Sequence, residues 1–129
     1  MEKNMKEVYK ALVLALNELE NPVNSMDNPY YNSKYVPLED ILDSVKPVLK
    51  KHGLAIMQVP QVYYEVSSGK HTEVGLVKLT TQILHQSGEV LEFEPVIFKS
   101  QSNTPQAVGS TITYARRYSL SALLGIAGK

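Results

Sequence analysis

In the stretch TEVGLVKLTTQILHQSGEVLEFEPVIF, residues 72–98, apolar and polar side chains alternate along most of the length. This period of two predicts β-strands with one buried face, here over 72–85 and 90–98, joined by the tight turn QSGE. In the first strand, Val77, Leu79, Thr81 and Ile83 are predicted to point inward, opposite Lys78, Thr80 and Gln82. In the second, the inward residues are Leu91, Phe93, Pro95 and Ile97, opposite Glu92 and Glu94.

A third strand precedes these two. Residues 54–66 are rich in β-branched and aromatic side chains, and the turn SSGK leads from them to the next strand. Pro60 lies within this segment, and because proline cannot donate a ladder hydrogen bond, it predicts an edge strand or a bulge. Three strands joined by short turns predict an antiparallel meander that is covered on one face.

Two helices are predicted before the meander. Residues 2–20 carry apolar side chains at three- and four-residue steps, and Asn21-Pro22 ends the pattern. The second helix, over 38–52, has acidic residues at its start and lysines at its end, both favourable to the helix dipole. Those acids are better explained by the helix start than by a metal site. Pro47 lies inside this helix and predicts a kink or a split.

A long helix is predicted after the meander, over 105–124. Thr104 suits the N-cap, Pro105 suits the first helical position, and Gly125 ends the helix. The order of two helices, three strands and one helix predicts a small α+β domain, a sheet with helices on one side. We expect residues 1–129 to form a single domain.

The composition narrows the class of protein. The chain has 129 residues, 43% hydrophobic content and no cysteine, which excludes disulfides and fits a reducing compartment. The first residues lack the layout of a secretory signal, and no stretch approaches the ~20 apolar residues of a membrane span. We therefore expect a soluble, cytoplasmic protein.

Charge is distributed unevenly along the chain. The net charge is zero, which argues against a generic polyanion binder. From Pro95 onward, however, there are four lysines and arginines and no acidic residue. A basic end can attract phosphate locally, because charges more than ~10 Å apart are largely screened from one another in ordinary salt. A merely solvated basic helix end is the alternative explanation.

A helical wheel divides the last helix into two faces. The face predicted to be buried comprises Val108, Ile112, Ala115, Ala122, Leu123 and Ile126. The opposite face comprises Gln106, Ser110, Thr113, Arg117 and Ser121, with Tyr114 at its margin and Arg116 between the faces. Arginine, hydroxyl and amide donors suit a phosphodiester backbone. Leu120 and Leu124 also fall outward on the wheel, which suggests cover by another subunit. Alternatively, Arg116 and Arg117 pair with acids of helix 2 or the strands.

The loop over 21–37 is unusually aromatic. Tyr30, Tyr31 and Tyr35 lie in it, with Lys34 among them. Tyrosine rings can pack on the core or offer faces on which bases stack, and the sequence leaves both open.

Catalytic patterns are missing from the sequence. There is no Walker-type glycine loop, no G-x-S-x-G elbow and no HExxH spacing, and the three histidines are isolated. A metal nuclease needs several convergent carboxylates, which cannot be assembled here. We therefore expect no enzyme, no cofactor and no metal.

Three blocks carry a family likeness: NPYYNSKYVPLEDILDSVKPVLKKHGLAIMQ (28–58), TTQILHQSGE (80–89) and PQAVGSTITYARRYSLSALLGI (105–126). Together they resemble the Erf (essential recombination function) family of phage single-strand annealing proteins, over about 28–126. The last block is the most specific, through its YARRY segment at 114–118 and LGI at 124–126.

The resemblance implies a fold similar to that of the RecT, Red-beta and Rad annealing proteins. It implies ATP-independent binding of single-stranded DNA, annealing of complementary strands through a duplex intermediate, and assembly into rings or helical filaments in the bacterial host cytoplasm. Family members usually continue into a variable tail, so we expect a core domain whose missing tail recruits host single-strand binding protein. The DNA-contacting positions it implies are Lys34, Tyr35, Lys99, Gln106, Ser110, Tyr114, Arg116 and Arg117.

The mechanism expected from this likeness is physical rather than covalent. Subunits in a row would turn one shallow groove into a continuous track, so that many weak sites add up despite the zero net charge. Phosphates would face the cations while bases stay exposed to sample a complementary strand. Two alternatives remain: a passive single-strand binder or replication accessory, and a protein-interaction module that does not bind DNA.

Overall fold

Two long strands form the centre of the structure, a computed structural model that describes residues 4–20, 36–66 and 73–126. Strand β1 (Leu54–Val66) pairs antiparallel with β2 (Glu73–His85) along its whole length. β1 forms one edge of the sheet, the position that Pro60 predicted. The inward series predicted for β2 is confirmed, since its four side chains are all at most 5% exposed.

The opposite edge of the sheet corrects the predicted third strand. Instead of one continuous strand, Val90–Glu92 (β3) and Val96–Lys99 (β4) both pair antiparallel with β2. Between them, residues 93–95 lie opposite only two residues of β2. The sheet therefore contains a β-bulge at Pro95, where a proline that cannot donate a ladder hydrogen bond is tolerated.

The bulge inverts the alternation that the sequence predicted. Leu91 lies opposite Ile83, and Phe98 lies opposite Val77, so both point to the same face although seven residues separate them. Ile97, predicted to be inward, is instead 62% exposed on the far face. The bulge thus delivers Phe98 to the helical side of the sheet, where the candidate site lies.

Three helices cover the inner face of the sheet. They are α1 (Lys6–Glu18), α2 (Leu38–Lys51) and α3 (Pro105–Leu124), and the architecture is α+β as predicted. α2 runs unbroken through Pro47, so the predicted split does not occur. The core joins all three helices to β1, β2 and β3. Among the described residues, no helix combines the length and apolar character needed to cross a membrane.

A carboxylate from the β2–β3 turn caps α1. Glu89 Oε1 accepts hydrogen bonds from the backbone N–H groups of Glu7 at 3.1 Å and Val8 at 3.2 Å. These are first-turn donors without a partner inside the helix, and a carboxylate there also favours the helix dipole. This contact fixes the start of α1 to the sheet.

The termini of α3 match the prediction, and its buried surface matches in part: Val108, Ala115 and Ile126 are buried as predicted, whereas Ala122 is exposed. The Thr104 hydroxyl accepts from the Ala107 N–H at 3.2 Å, and Gly125 ends the helix in the left-handed region at φ 65°. Leu120 and Leu124, predicted to face outward, are 0% and 4% exposed. The reason is that α2 packs beside the second half of α3, so this half is buried by two layers and not by the sheet alone.

Candidate nucleic-acid interface

A shallow groove of about 400 Å³ lies where β4 and its following loop meet the outer side of α3. The residues that line it combine an aromatic floor with a cation, hydroxyls and an amide: Phe98, Lys99, Gln101, Ala107, Ser110, Thr111 and Tyr114. Such a lining suits a polar, extended ligand better than a compact apolar one.

A second groove, of about 430 Å³, continues along the helix. Its lining is Tyr114, Arg117, Tyr118, Ser121, Ala122 and Ile126. Because both grooves share Tyr114, they form one surface along α3. We call this surface, defined by Lys99, Ser110, Tyr114, Arg117 and Tyr118, the α3 strip.

A buried serine fixes the loop that forms one wall of the strip. Ser100 is 3% exposed; its N–H donates to the Gly75 carbonyl at 2.8 Å and its hydroxyl to the Ser102 carbonyl at 2.6 Å. Glycine is required opposite it, because a Cβ at Gly75 would lie 2.6 Å from Ser100 Oγ. This close approach holds the neighbouring Lys99 at the mouth of the first groove.

Three aromatic rings form the middle of the strip. Phe98 meets Tyr114 and Tyr118 edge-on, with centroids 5.2 and 5.3 Å away, and the two tyrosine rings lie 6.3 Å apart at an interplanar angle of 21°. The Arg117 guanidinium carbon lies 5.2 Å from the centre of the Tyr114 ring, within range of a cation–π interaction. Cationic and flat apolar surfaces are therefore adjacent.

The structure brings together several of the residues predicted for the site. Lys99, Ser110 and Tyr114 line the first groove, and Tyr114 and Arg117 line the second. Gln106 is exposed in the first turn of α3 and lines neither of these grooves. Lys34 and Tyr35 lie outside the described residues. Contact of any of these residues with DNA remains a prediction.

Arg116 turns away from the α3 strip. Its Nε donates to Gln58 Oε1 on β1 at 3.3 Å, and Gln58 Nε2 donates to the Arg116 carbonyl at 3.3 Å and to the buried Thr81 hydroxyl at 3.1 Å. Its partner here is thus an amide of β1. This three-residue network joins α3 to two strands and sets the helix orientation that presents Arg117.

Sequence reasoning missed Phe98 and Tyr118. The tyrosines at i and i+4 in YARRY were a usable signal, because residues four apart on a helix are neighbours. Phe98 carried no such signal, since only the bulge turns it toward α3.

The electrostatics of the strip favour an anion. The segment from residue 95 onward contains no acidic residue, and within the described part of the chain Lys99 makes no ion pair. Nor does that part contain a group of three or more histidine or acidic side chains that could hold a metal ion. The arrangement can bind a polyanion through point charges, hydroxyls and ring faces.

Comparison with known proteins shows the family of the chain. The model of the ERF superfamily matches residues 8–129, so the chain belongs to that family. The essential recombination function protein of Salmonella phage P22 is 32% identical over an alignment of 130 positions, which covers 94% of this chain and 56% of the phage protein. The chain thus spans just over half the length of that relative. No solved structure matches.

Proposed function

We propose that this protein binds single-stranded DNA and anneals complementary strands without nucleotide hydrolysis, in phage-type homologous recombination. The observation that carries the proposal is the α3 strip, where an arginine, a lysine, hydroxyls and exposed rings share one open surface. Membership of the ERF superfamily, and the name of the related P22 protein, support the recombination context.

The chemistry of the strip suits the DNA backbone. Arg117 offers a fork of N–H donors that matches phosphate oxygens, and Lys99 adds a point charge. Ser110, exposed on the same side, adds a positioning hydrogen bond. None of these contacts reads a base edge, so binding should be nearly sequence-blind, as annealing of arbitrary strands requires.

One protomer supplies too few cations for tight binding, so the proposal includes assembly into a ring or filament. Repeating the strip along a strand multiplies weak contacts into high avidity. Leu120 and Leu124 are not the surface for subunit contacts, because the core already covers them. α1 instead exposes Tyr9, Val13 and Leu14, each at least 55% exposed, which makes it the candidate contact surface.

The test measures joining of two complementary, dye-labelled strands in the presence of a chelator and without nucleotide. The proposal predicts that the protein accelerates joining above the spontaneous rate and leaves a non-complementary pair separate. A protein that binds either strand but does not accelerate joining is a passive binder, which contradicts annealing. Failure to shift an oligonucleotide even at low salt contradicts DNA binding altogether.

A further inference from the structure

The two tyrosine rings of the α3 strip are only half buried. Tyr114 is 46% exposed and Tyr118 is 51% exposed, although both rest against Phe98. The Phe98 ring is inclined at 84° and 76° to the planes of the two tyrosine rings, which are themselves nearly parallel at 21°. The contact with Phe98 thus leaves about half of each tyrosine side chain open to solvent.

One helix carries both tyrosine rings. They lie four residues apart on one helix, so α3 itself sets their spacing. The Arg117 guanidinium lies over the Tyr114 ring, and Tyr114 lines both grooves. A flat hydrophobic surface therefore lies within one helical turn of a cation that can hold a phosphate.

We propose that Tyr114 and Tyr118 form a base-stacking platform, on which each protomer holds one nucleobase of the single strand while Arg117 contacts the neighbouring phosphate. This inference rests on the proposed function and adds a second kind of contact to it. Every base has a π-face, so stacking contributes affinity without selecting a sequence.

Stacking is compatible with annealing because it uses the face of the base. The donors and acceptors that pair with a complementary strand lie on the base edge, which a stacked ring leaves free. A platform on a rigid helix would hold that edge in a defined orientation for the incoming strand. The same surface would thereby bind the single strand and leave its bases able to pair.

The experiment compares oligodeoxythymidine with an abasic oligonucleotide of the same length and charge. We expect the wild-type protein to bind the abasic strand more weakly, because only phosphate contacts remain. Tyr118→Leu should weaken binding of oligodeoxythymidine by at least about fivefold and leave abasic binding unchanged. Arg117→Ala should weaken both by a similar factor, and Tyr118→Phe should keep most of the wild-type affinity.

Met57→Ala is the control, because Met57 is 45% exposed and lies on β1 opposite Gln82, six residues along β2 from the partner of Lys99. It should change neither affinity. Equal binding of the two strands by the wild type, or an equal effect of Tyr118→Leu on both, would overturn the platform. Absence of binding to either strand would instead overturn the proposed function.

Two further measurements support the comparison. A melting curve confirms that each variant is folded. Fluorescence quenching of a 2-aminopurine base in the oligonucleotide by the wild type, but not by Tyr118→Leu, provides an independent readout of stacking.

Discussion

The two sides of helix α3 differ in how their polar groups are satisfied. On the inner side, Arg116 and Gln58 exchange hydrogen bonds and Leu120 is fully buried. On the outer side, the next residue in the chain, Arg117, lies over the ring of Tyr114 beside open grooves. Of these two consecutive arginines, Arg116 thus connects α3 to the sheet, and Arg117 lies on the grooved surface.

One helix therefore contributes to both the core and the candidate site. Because the inner side fixes the helix by packing and by the Gln58 network, the outer side presents its side chains in a defined arrangement. A site on a helix held in this way loses little conformational freedom on binding, which favours affinity. Changes on the inner side should therefore lower stability, whereas changes on the outer side should lower DNA affinity.

The largest expected effect is on the inner side. Leu120→Ala removes a fully buried side chain and leaves a cavity, so the free energy of unfolding should fall by about 2–5 kcal/mol. Denaturant unfolding measures the loss. Ala122→Ser, two residues away at an exposed position, should change it by less than about 0.5 kcal/mol. Equal effects of the two substitutions would show that Leu120 faces outward after all.

The second-largest expected effect is the loss of stability when the hydrogen bonds of Gln58 are removed. Gln58→Leu removes the donor to Thr81 and to the Arg116 carbonyl and the acceptor for Arg116 Nε, which should cost about 1–3 kcal/mol of unfolding free energy. Met57→Leu, on the same strand and the opposite face, is the control and should be nearly neutral. If Gln58→Leu leaves the free energy of unfolding unchanged, the Gln58 network does not help to hold α3 in its orientation.

The smallest effect lies far from the strip, where α1 meets α2. Hydrogen bonds from Lys51 and His52 lower the pKa of Glu18 below its ordinary value of 4.5. A lowered folded-state pKa gives stability that is present above that ordinary value and is lost as the pH falls through the lowered value. Glu18→Gln should therefore melt slightly below wild type at pH 7, and the difference should shrink as the pH falls below 4.5 and vanish below the lowered pKa. A difference that persists in acid would contradict this assignment.

Local rules predicted most of the fold. The N-cap at Thr104, the end at Gly125 and the edge position of β1 all follow from single residues whose backbone chemistry is restrictive. The inward series of β2 follows from strict alternation, which a central strand preserves. These features depend on neighbours in the chain, which the sequence displays directly.

Features that depend on tertiary contacts could not be predicted in the same way. A bulge shifts alternation by one residue, so the pattern before Pro95 gave the wrong side for Ile97 and concealed Phe98. A helical wheel assumes one buried face, whereas α3 is buried by the sheet along its length and by α2 at its end. Because α2 covers the end of α3, Leu124 is buried although the helical wheel places it on the outer face.

The salt dependence of single-strand binding by Arg117→Ala tests most directly whether the outer side of α3 contacts phosphate. Relative to wild type, the plot of log affinity against log salt should flatten by about one unit for each protomer bound. Lys51→Ala removes a cation that pairs with Glu18 far from the strip, so it should keep the wild-type slope. An unchanged slope in a folded Arg117→Ala protein would show that Arg117 does not contact phosphate.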